Sequence, residues 1–330
     1  MWKFAVNALL LLSLCACAGT AVITADEGSS TLTKVTADGL TQKLSLPANP
    51  HNVQISADGK WILATGMPAA AHHHGGPMQG GVLMLIDAAH FDAPHVQSLP
   101  LGGHPAHVVT DGSGKIAYVT DSANNAVILV DIARQATVGK IAVGAFPHGA
   151  RINPIKSELY TANIKDGTVS VVDLTTKKET HRIPVGNTPI QVAVTPDGKT
   201  LYVSLAKDSA VAMVDLSRYK KTALIRVPSA PAQVYADPAG KYVISANQGT
   251  ADNPGATISI IEAGTPKVIK QLSTGKMPHG VVIDNGGHYA YITNMGEDTV
   301  AMVDLSQMAL NSRYKVGVLP NGITLLNGVH

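Results

Sequence analysis

Short runs of apolar and β-branched residues recur along almost the whole chain, separated by polar turns. Within each run the pattern alternates with a period of two. Gln191-Val192-Ala193-Val194, Tyr202-Val203-Ser204-Leu205 and Tyr291-Ile292-Thr293-Asn294 are examples. Such patterning predicts strands, and no stretch carries an apolar stripe at helical spacing. Four runs make a unit. The first follows a proline, and a hairpin turn such as Asp58-Gly59 or Asp197-Gly198 leads to the second. The second begins thirteen residues after the proline in units such as Tyr118-Val119-Thr120-Asp121 and Tyr160-Thr161-Ala162-Asn163. The third ends in an acid, at Asp131, Asp173, Asp215, Glu262 and Asp304, and the short fourth runs into a Gly-x-x-Pro turn.

Prolines stand at the same phase at positions 50, 105, 147, 189, 231, 278 and 320, and four of the six intervals are 42 residues, the others 55 and 47. A fixed period in this range, built of strands alone, predicts a ring of repeats. The expected fold is all-β: a seven-bladed β-propeller of four-stranded antiparallel blades. Ala21-Val22-Ile23-Thr24 reads as the second strand of a blade and Thr31 to Val35 as its third. Gly322 to Leu326 supplies the first strand of that same blade. N-terminal strands pairing with the C-terminal strand would close the ring without an open edge. No linker interrupts the repeats, so residues 19–330 are expected to form a single domain.

The Tyr-Val-Thr-Asn-like second strand, the Val-x-Val-Val-Asp third strand and the Gly-x-x-Pro-His-Gly turn resemble the YVTN-type β-propeller repeat family, over about residues 20–330. The resemblance implies the fold. It leaves function open, since propellers of this kind serve as binding proteins, enzymes and metal handlers. Related exported propellers include a zinc chaperone that passes metal to a transport-binding protein. Nitrous oxide reductase and the haem d1 propellers are more distant analogues. This chain has no Cys-x-x-Cys-His motif for c-type haem, which argues against a redox role.

The first residues change the compartment. Lys3 and the apolar run Phe4 to Leu14 read as a signal peptide over 1–18, too short to span a membrane as a folded helix. Leu14-Cys15-Ala16-Cys17-Ala18 resembles a bacterial lipobox, with Cys17 as the lipidated residue; simple cleavage after Ala18 or Ala21 is the alternative. Either reading places the protein in the periplasm or cell envelope, touching the membrane only through a lipid anchor. No cysteine follows Cys17, so neither disulfides nor thiolate metal sites are expected after it. The 25 Lys and Arg nearly balance 23 Asp and Glu, giving no support for nucleic-acid binding. A monomer is expected.

Two breaks in the repeat carry candidate chemistry. Asp87 lies 37 residues after Pro50 where regular units have 26, placing eleven extra residues between the second and third strands, within Gly66 to Met78. Five more fall at the same place near Asp252 to Gly255. In a four-stranded blade this loop emerges on the same face as the turn into the first strand. The inserted His72, His73 and His74 therefore share a face with His51, His107, His148 and His279, and with His104. Neutral imidazole is the commonest nitrogen ligand for zinc and copper, and Met67, Met78, Met277 and Met295 map to the same face. These seven histidines, 51, 72, 73, 74, 107, 148 and 279, form the candidate metal site, for Zn or Cu. Against that stands the recurrence of Pro-His-Gly, which reads His148 and His279 as scaffold bonded to a neighbouring turn, and the loop as a solvated insertion.

The function that follows is a non-catalytic exported binding protein, a metal chaperone or store with a periplasmic metal-transport or envelope protein as its partner. The alternatives are a lactonase- or lyase-type propeller enzyme and a scaffold binding a protein or envelope polymer. The channel-facing turn positions Asn52, Gln191, Gln233 and Asn321 offer few carboxylates and no nucleophile–base pair, which weighs against the enzyme.

Overall fold

A computed structural model describes residues 20–68 and 80–327. Among them are seven four-stranded antiparallel sheets, here numbered as blades from the first complete repeat. Blade 1 runs Asn49–Ile55, Trp61–Met67, Val82–Asp87 and Gln97–Pro100. The inner strands of blades 2 to 6 are Pro105–Thr110, Pro147–Ile152, Pro189–Val194, Val234–Ala236 and Pro278–Ile283. Blade 7 takes Pro320–Asn327 as its inner strand and Thr20–Asp26, Thr31–Thr36 and Thr41–Ser45 as the other three. Pairing of Ala21 with Leu326, Ile23 with Thr324 and Ala25 with Gly322 closes the ring as expected. No helix among the described residues is long and apolar enough to cross a membrane.

Each blade is apolar on both faces because it is sandwiched between two others. The core is thus divided into clusters shared by neighbours. Tyr160 and Val171 of blade 3 pack with Val192, Val203 and Val214 of blade 4, and Leu85 of blade 1 packs with Val108, Val119 and Ile128 of blade 2. Burying each such side chain contributes roughly 1.5–3 kcal/mol. A second tie repeats at one level of the ring. A hydroxyl on the second strand donates to the carbonyl just after the proline of the next blade. Thr65 reaches Ala106 O, Thr120 reaches His148 O and Ser204 reaches Ala232 O, each at 2.6 Å, and Thr293 reaches Asn321 O at 3.2 Å.

That close approach explains the glycine of Pro-His-Gly. A Cβ on Gly149 would stand 2.2 Å from Gln191 Oε1 and 2.6 Å from both Gln191 Cα and the Ile190 carbonyl oxygen. On Gly280 it would stand 2.6 Å from the Asn321 carbonyl oxygen. The backbone of the next inner strand fills the space, so the glycine is a packing requirement. Gly149→Ala is expected to destabilise by about 1–3 kcal/mol, the usual range for overpacking a filled site. The check is chemical denaturation, with a lowered midpoint at unchanged m-value.

Candidate metal centre

The first residue after the proline of each inner strand sits at one mouth of the axial channel. Blades 1, 3 and 6 carry histidine there, at 51, 148 and 279. Blade 2 carries the fully buried Ala106, with His107 one residue further on. The small Ala106 leaves a gap across which blades 1 and 3 can meet. One ring nitrogen of each of His51, His107 and His148 lies within 4.8 Å of the others. His51 Nε2 and His148 Nε2 are 3.2 Å apart. The rings meet edge-on, with centroids 5.3 Å apart for His51 and His148 and 4.8 Å apart for His107 and His148.

The nitrogens on the other side of these rings are fixed by partners. His148 Nδ1 lies 3.1 Å from the Ile190 carbonyl oxygen. His51 Nδ1 lies 3.4 Å from Glu27 Oε2 and 3.1 Å from Asn321 Nδ2, and that amide donates to Glu27 at 2.7 Å. A carbonyl can only accept, so His148 carries its hydrogen on Nδ1. His51 Nδ1 faces both an acceptor, Glu27, and a donor, the nearer Asn321 amide, so its hydrogen can stand on Nδ1 or on Nε2. With the hydrogen on Nε2, His51 donates to the bare Nε2 of His148; with it on Nδ1, both rings present a bare Nε2. In the second tautomer the contact between neutral imidazoles is repulsive. With a cation between them it becomes attractive, and 3.2 Å is close to the roughly 3.3 Å that separates two nitrogens bound tetrahedrally at 2.0–2.1 Å.

His107 is set differently. Gln191 Oε1 accepts from the Val192 N–H at 2.9 Å, so its amide nitrogen, 3.3 Å from His107 Nδ1, donates to that ring. The hydrogen of His107 is thereby placed on Nε2. Ligation through Nε2 requires Gln191 to turn its oxygen toward the ring. His51 and His148 are the preset pair, and His107 is the adaptable third.

The electrostatics keep His107 and His148 neutral. Burial, followed by the charge of His51, holds His148 down to about 3. Burial and then its neighbours His148 and His51 hold His107 well below the ordinary imidazole range. For Glu27, burial opposes ionisation. It is outweighed by the hydrogen bond and charge of His51, then by the Asn321 amide and the His279 charge, and the carboxyl falls to about 2. At neutral pH His107 and His148 are therefore unprotonated, beside the Glu27 carboxylate.

The other predicted residues fall elsewhere. His279 lies outside the cluster and donates from Nδ1 to the Asn321 carbonyl oxygen at 3.1 Å. His148 makes the same bond one blade on, so the scaffold reading describes one nitrogen of each ring. It leaves out the second nitrogen of His148. His104 Nδ1 is buried without a hydrogen-bond partner, and its ring lies 6.5 Å from that of Phe146. Met295 Sδ accepts from Gln248 at 3.4 Å, Met67 is buried in blade 1, and Met277 sits on the rim of blade 6. His72, His73, His74, Met78 and the lipobox with Cys17 lie outside the described residues. The residue missed in the sequence is Glu27. It lies between the second and third strands of blade 7, at the loop position that the 66–78 insertion occupies in blade 1, and register alone could have placed it at the mouth.

Comparison with known proteins agrees with the fold. Nothing among the curated proteins matches the sequence. Solved structures similar in fold include the hydrazine synthase of Kuenenia stuttgartiensis, 20% identical, with a TM-score of 0.72 over 88% of this chain and 92% of that one. A putative 6-phosphogluconolactonase from Bacteroides fragilis is 15% identical, with a TM-score of 0.76 over 95% of this chain and 99% of that one. The dihydro-haem d1 dehydrogenase NirN is 16% identical, with a TM-score of 0.62 over 91% of this chain and 67% of that one. At these identities the likeness is one of architecture. The family model that matches is that of the YNCE-like beta-propellers, over residues 150–325. With more than half of the sequence matched and seven blades in the fold, the chain belongs to the YNCE-like β-propeller family.

Proposed function

We propose that this protein binds a transition-metal ion, Zn or Cu, at one mouth of its axial channel and holds or transfers it without chemical turnover. The observation that carries the reading is the His51–His148 pair, with Nε2 facing Nε2 at 3.2 Å, the Nδ1 of His148 bonded to the Ile190 carbonyl and that of His51 beside the Glu27 carboxylate and the Asn321 amide. Carboxylate and carbonyl partners on the far ring nitrogen are the usual outer support of metal-bound histidine. His107 supplies the third nitrogen. The inserted His72, His73 and His74 are proposed as further ligands. Their segment follows Trp61–Met67, and Met67 pairs with Asn49 at the mouth end of blade 1. An all-imidazole set suits Zn and Cu(II), and a methionine from the rim would favour Cu(I).

The same reading proposes an exported, lipid-anchored protein that exchanges metal with a periplasmic transport or envelope partner. Thr20 pairs with Asn327 at the end of the inner strand remote from the histidines. A lipid on Cys17 would thus hold the opposite face toward the membrane and leave the mouth accessible.

Protein purified without a tag is expected to take up one equivalent of Zn²⁺ or Cu²⁺, read by elemental analysis, and to gain thermal stability as it does so. His148→Ala abolishes stoichiometric uptake. Glu27→Gln weakens it by roughly 10–100-fold, the usual cost of losing an outer-shell partner. The His72/His73/His74 triple alanine variant weakens binding further if the loop contributes ligands. Failure to load either metal sinks the proposal.

The pH dependence of the metal-free protein is a separate test. His148 at about 3 and His279 at about 4 lie below the unfolded imidazole value near 6.5. In each case burial is the leading cause. The unfolded chain therefore binds more protons in this window, and stability falls as pH drops from 6.5 toward 4. Glu27, depressed to about 2, adds to the loss below its unfolded value near 4.5. Denaturation midpoints at pH 7 and 4.5 should show the loss, and His279→Asn should reduce it. A midpoint independent of pH over this range would contradict the neutral assignment.

A further inference from the structure

Three residues beyond His148 on the same inner strand stands Arg151, roughly 10 Å further along the channel. It lines an axial cavity of about 280 Å³ on the side away from the histidines. Gln54, Tyr235, Val282 and Thr324 line the same cavity. All five occupy the fourth position after the repeat proline, in blades 1, 3, 5, 6 and 7, so the cavity is the channel itself at that level.

Arg151 is under-partnered for a guanidinium in such a place. It donates from Nη1 to the adjacent Ala150 carbonyl at 3.0 Å and lies 5.8 Å from the centre of the Tyr235 ring. Among the described residues it forms no ion pair, and none of the cavity's lining residues is acidic. Four of its five N–H donors are left for another acceptor. Arg151 is half-buried, and a cation so placed without a counter-charge invites an anion to meet it. Burial pushes Arg151 down and only Tyr235 opposes this, in keeping with the lack of a carboxylate. The rest of the wall mixes the polar groups of Gln54, Ser56, Asn285 and Thr324 with the apolar side chains of Val282, Ile323 and Leu325.

We propose that this cavity binds a small organic acid, its carboxylate held by the Arg151 guanidinium and its apolar body lying against Val282 and Ile323. A planar guanidinium matches a carboxylate through two parallel N–H···O bonds. The Tyr235 ring, its centre 5.8 Å from the guanidinium carbon, flanks the cation on one side. The site is independent of the metal reading, and metal-free protein suffices to test it.

Thermal shift and calorimetry on EDTA-treated protein with benzoate, butyrate, benzamide and inorganic phosphate make the test. Benzoate and butyrate are expected to raise the melting temperature, and the neutral benzamide is not. Arg151→Met should weaken benzoate binding at least about tenfold, the loss of a charge-assisted pair. It should leave the melting temperature of the ligand-free protein unchanged or raised, because a half-buried charge without a counter-ion is removed. Arg151→Lys should keep a weakened response. The proposal is overturned if neither carboxylate binds or if phosphate alone does. It also falls if Arg151→Met lowers the melting temperature and leaves benzoate affinity intact, which would mark the guanidinium as a structural strut.

Discussion

Closing seven four-stranded sheets into a ring brings the first strand of every blade to a common axis. Backbones there pass so closely that Gly149 and Gly280 have no room for a Cβ, and second-strand hydroxyls tie four of the blades to the next. The side chains beside those contacts have only the channel to enter. Histidines far apart in sequence therefore meet because the ring leaves them one direction. The same constraint puts Arg151 into the channel three residues after His148.

The channel that results is chemically polarised. One mouth holds the neutral imidazoles of His107 and His148 and an ionised Glu27. The other end holds a guanidinium against a wall of mixed polar and apolar groups. The two ends are electrostatically aware of each other, since the Arg151 charge is among the influences that depress protonation of His107. A cation at the mouth and an anion at Arg151 would lie at opposite ends of this polarity, each where the local field favours it.

Much of the architecture is legible in the sequence because period and alternation are local signals. The prolines mark the inner strands, the insertion at 66–78 is visible as a broken interval, and the blade shared by Thr20–Asp26 and Pro320–Asn327 follows from matching strand patterns. The face of the histidines is legible too, since an antiparallel hairpin fixes which ends lie together. Which of them meet is not. That depends on order around the ring and on the gap left by Ala106, neither of which is a property of a single repeat. His279 carries the same Pro-His-Gly as His148 yet stands on blade 6, bonded to Asn321 and outside the cluster. Glu27 escaped notice because its partner His51 is reached only through the closure of the two chain ends.

A recurring motif and a site residue are often treated as competing explanations, and His148 shows why they need not be. Its Nδ1 makes the inter-blade bond that His279 also makes, and this bond places the hydrogen on Nδ1. Its Nε2 is left bare as a consequence of the structural bond. In blade 6 the same arrangement finds no second histidine within reach among the described residues. In blade 3 it finds His51, whose Nδ1 stands beside Glu27. The cluster at the mouth thus arises where two scaffold contacts, each ordinary in itself, bring their second ring nitrogens to one point. Blade 3 also departs from scaffold at the level of Arg151. Its inner strand Pro147–Ile152 therefore carries both the imidazole at one end of the channel and the cation at the other, on a backbone that Gly149 locks against blade 4.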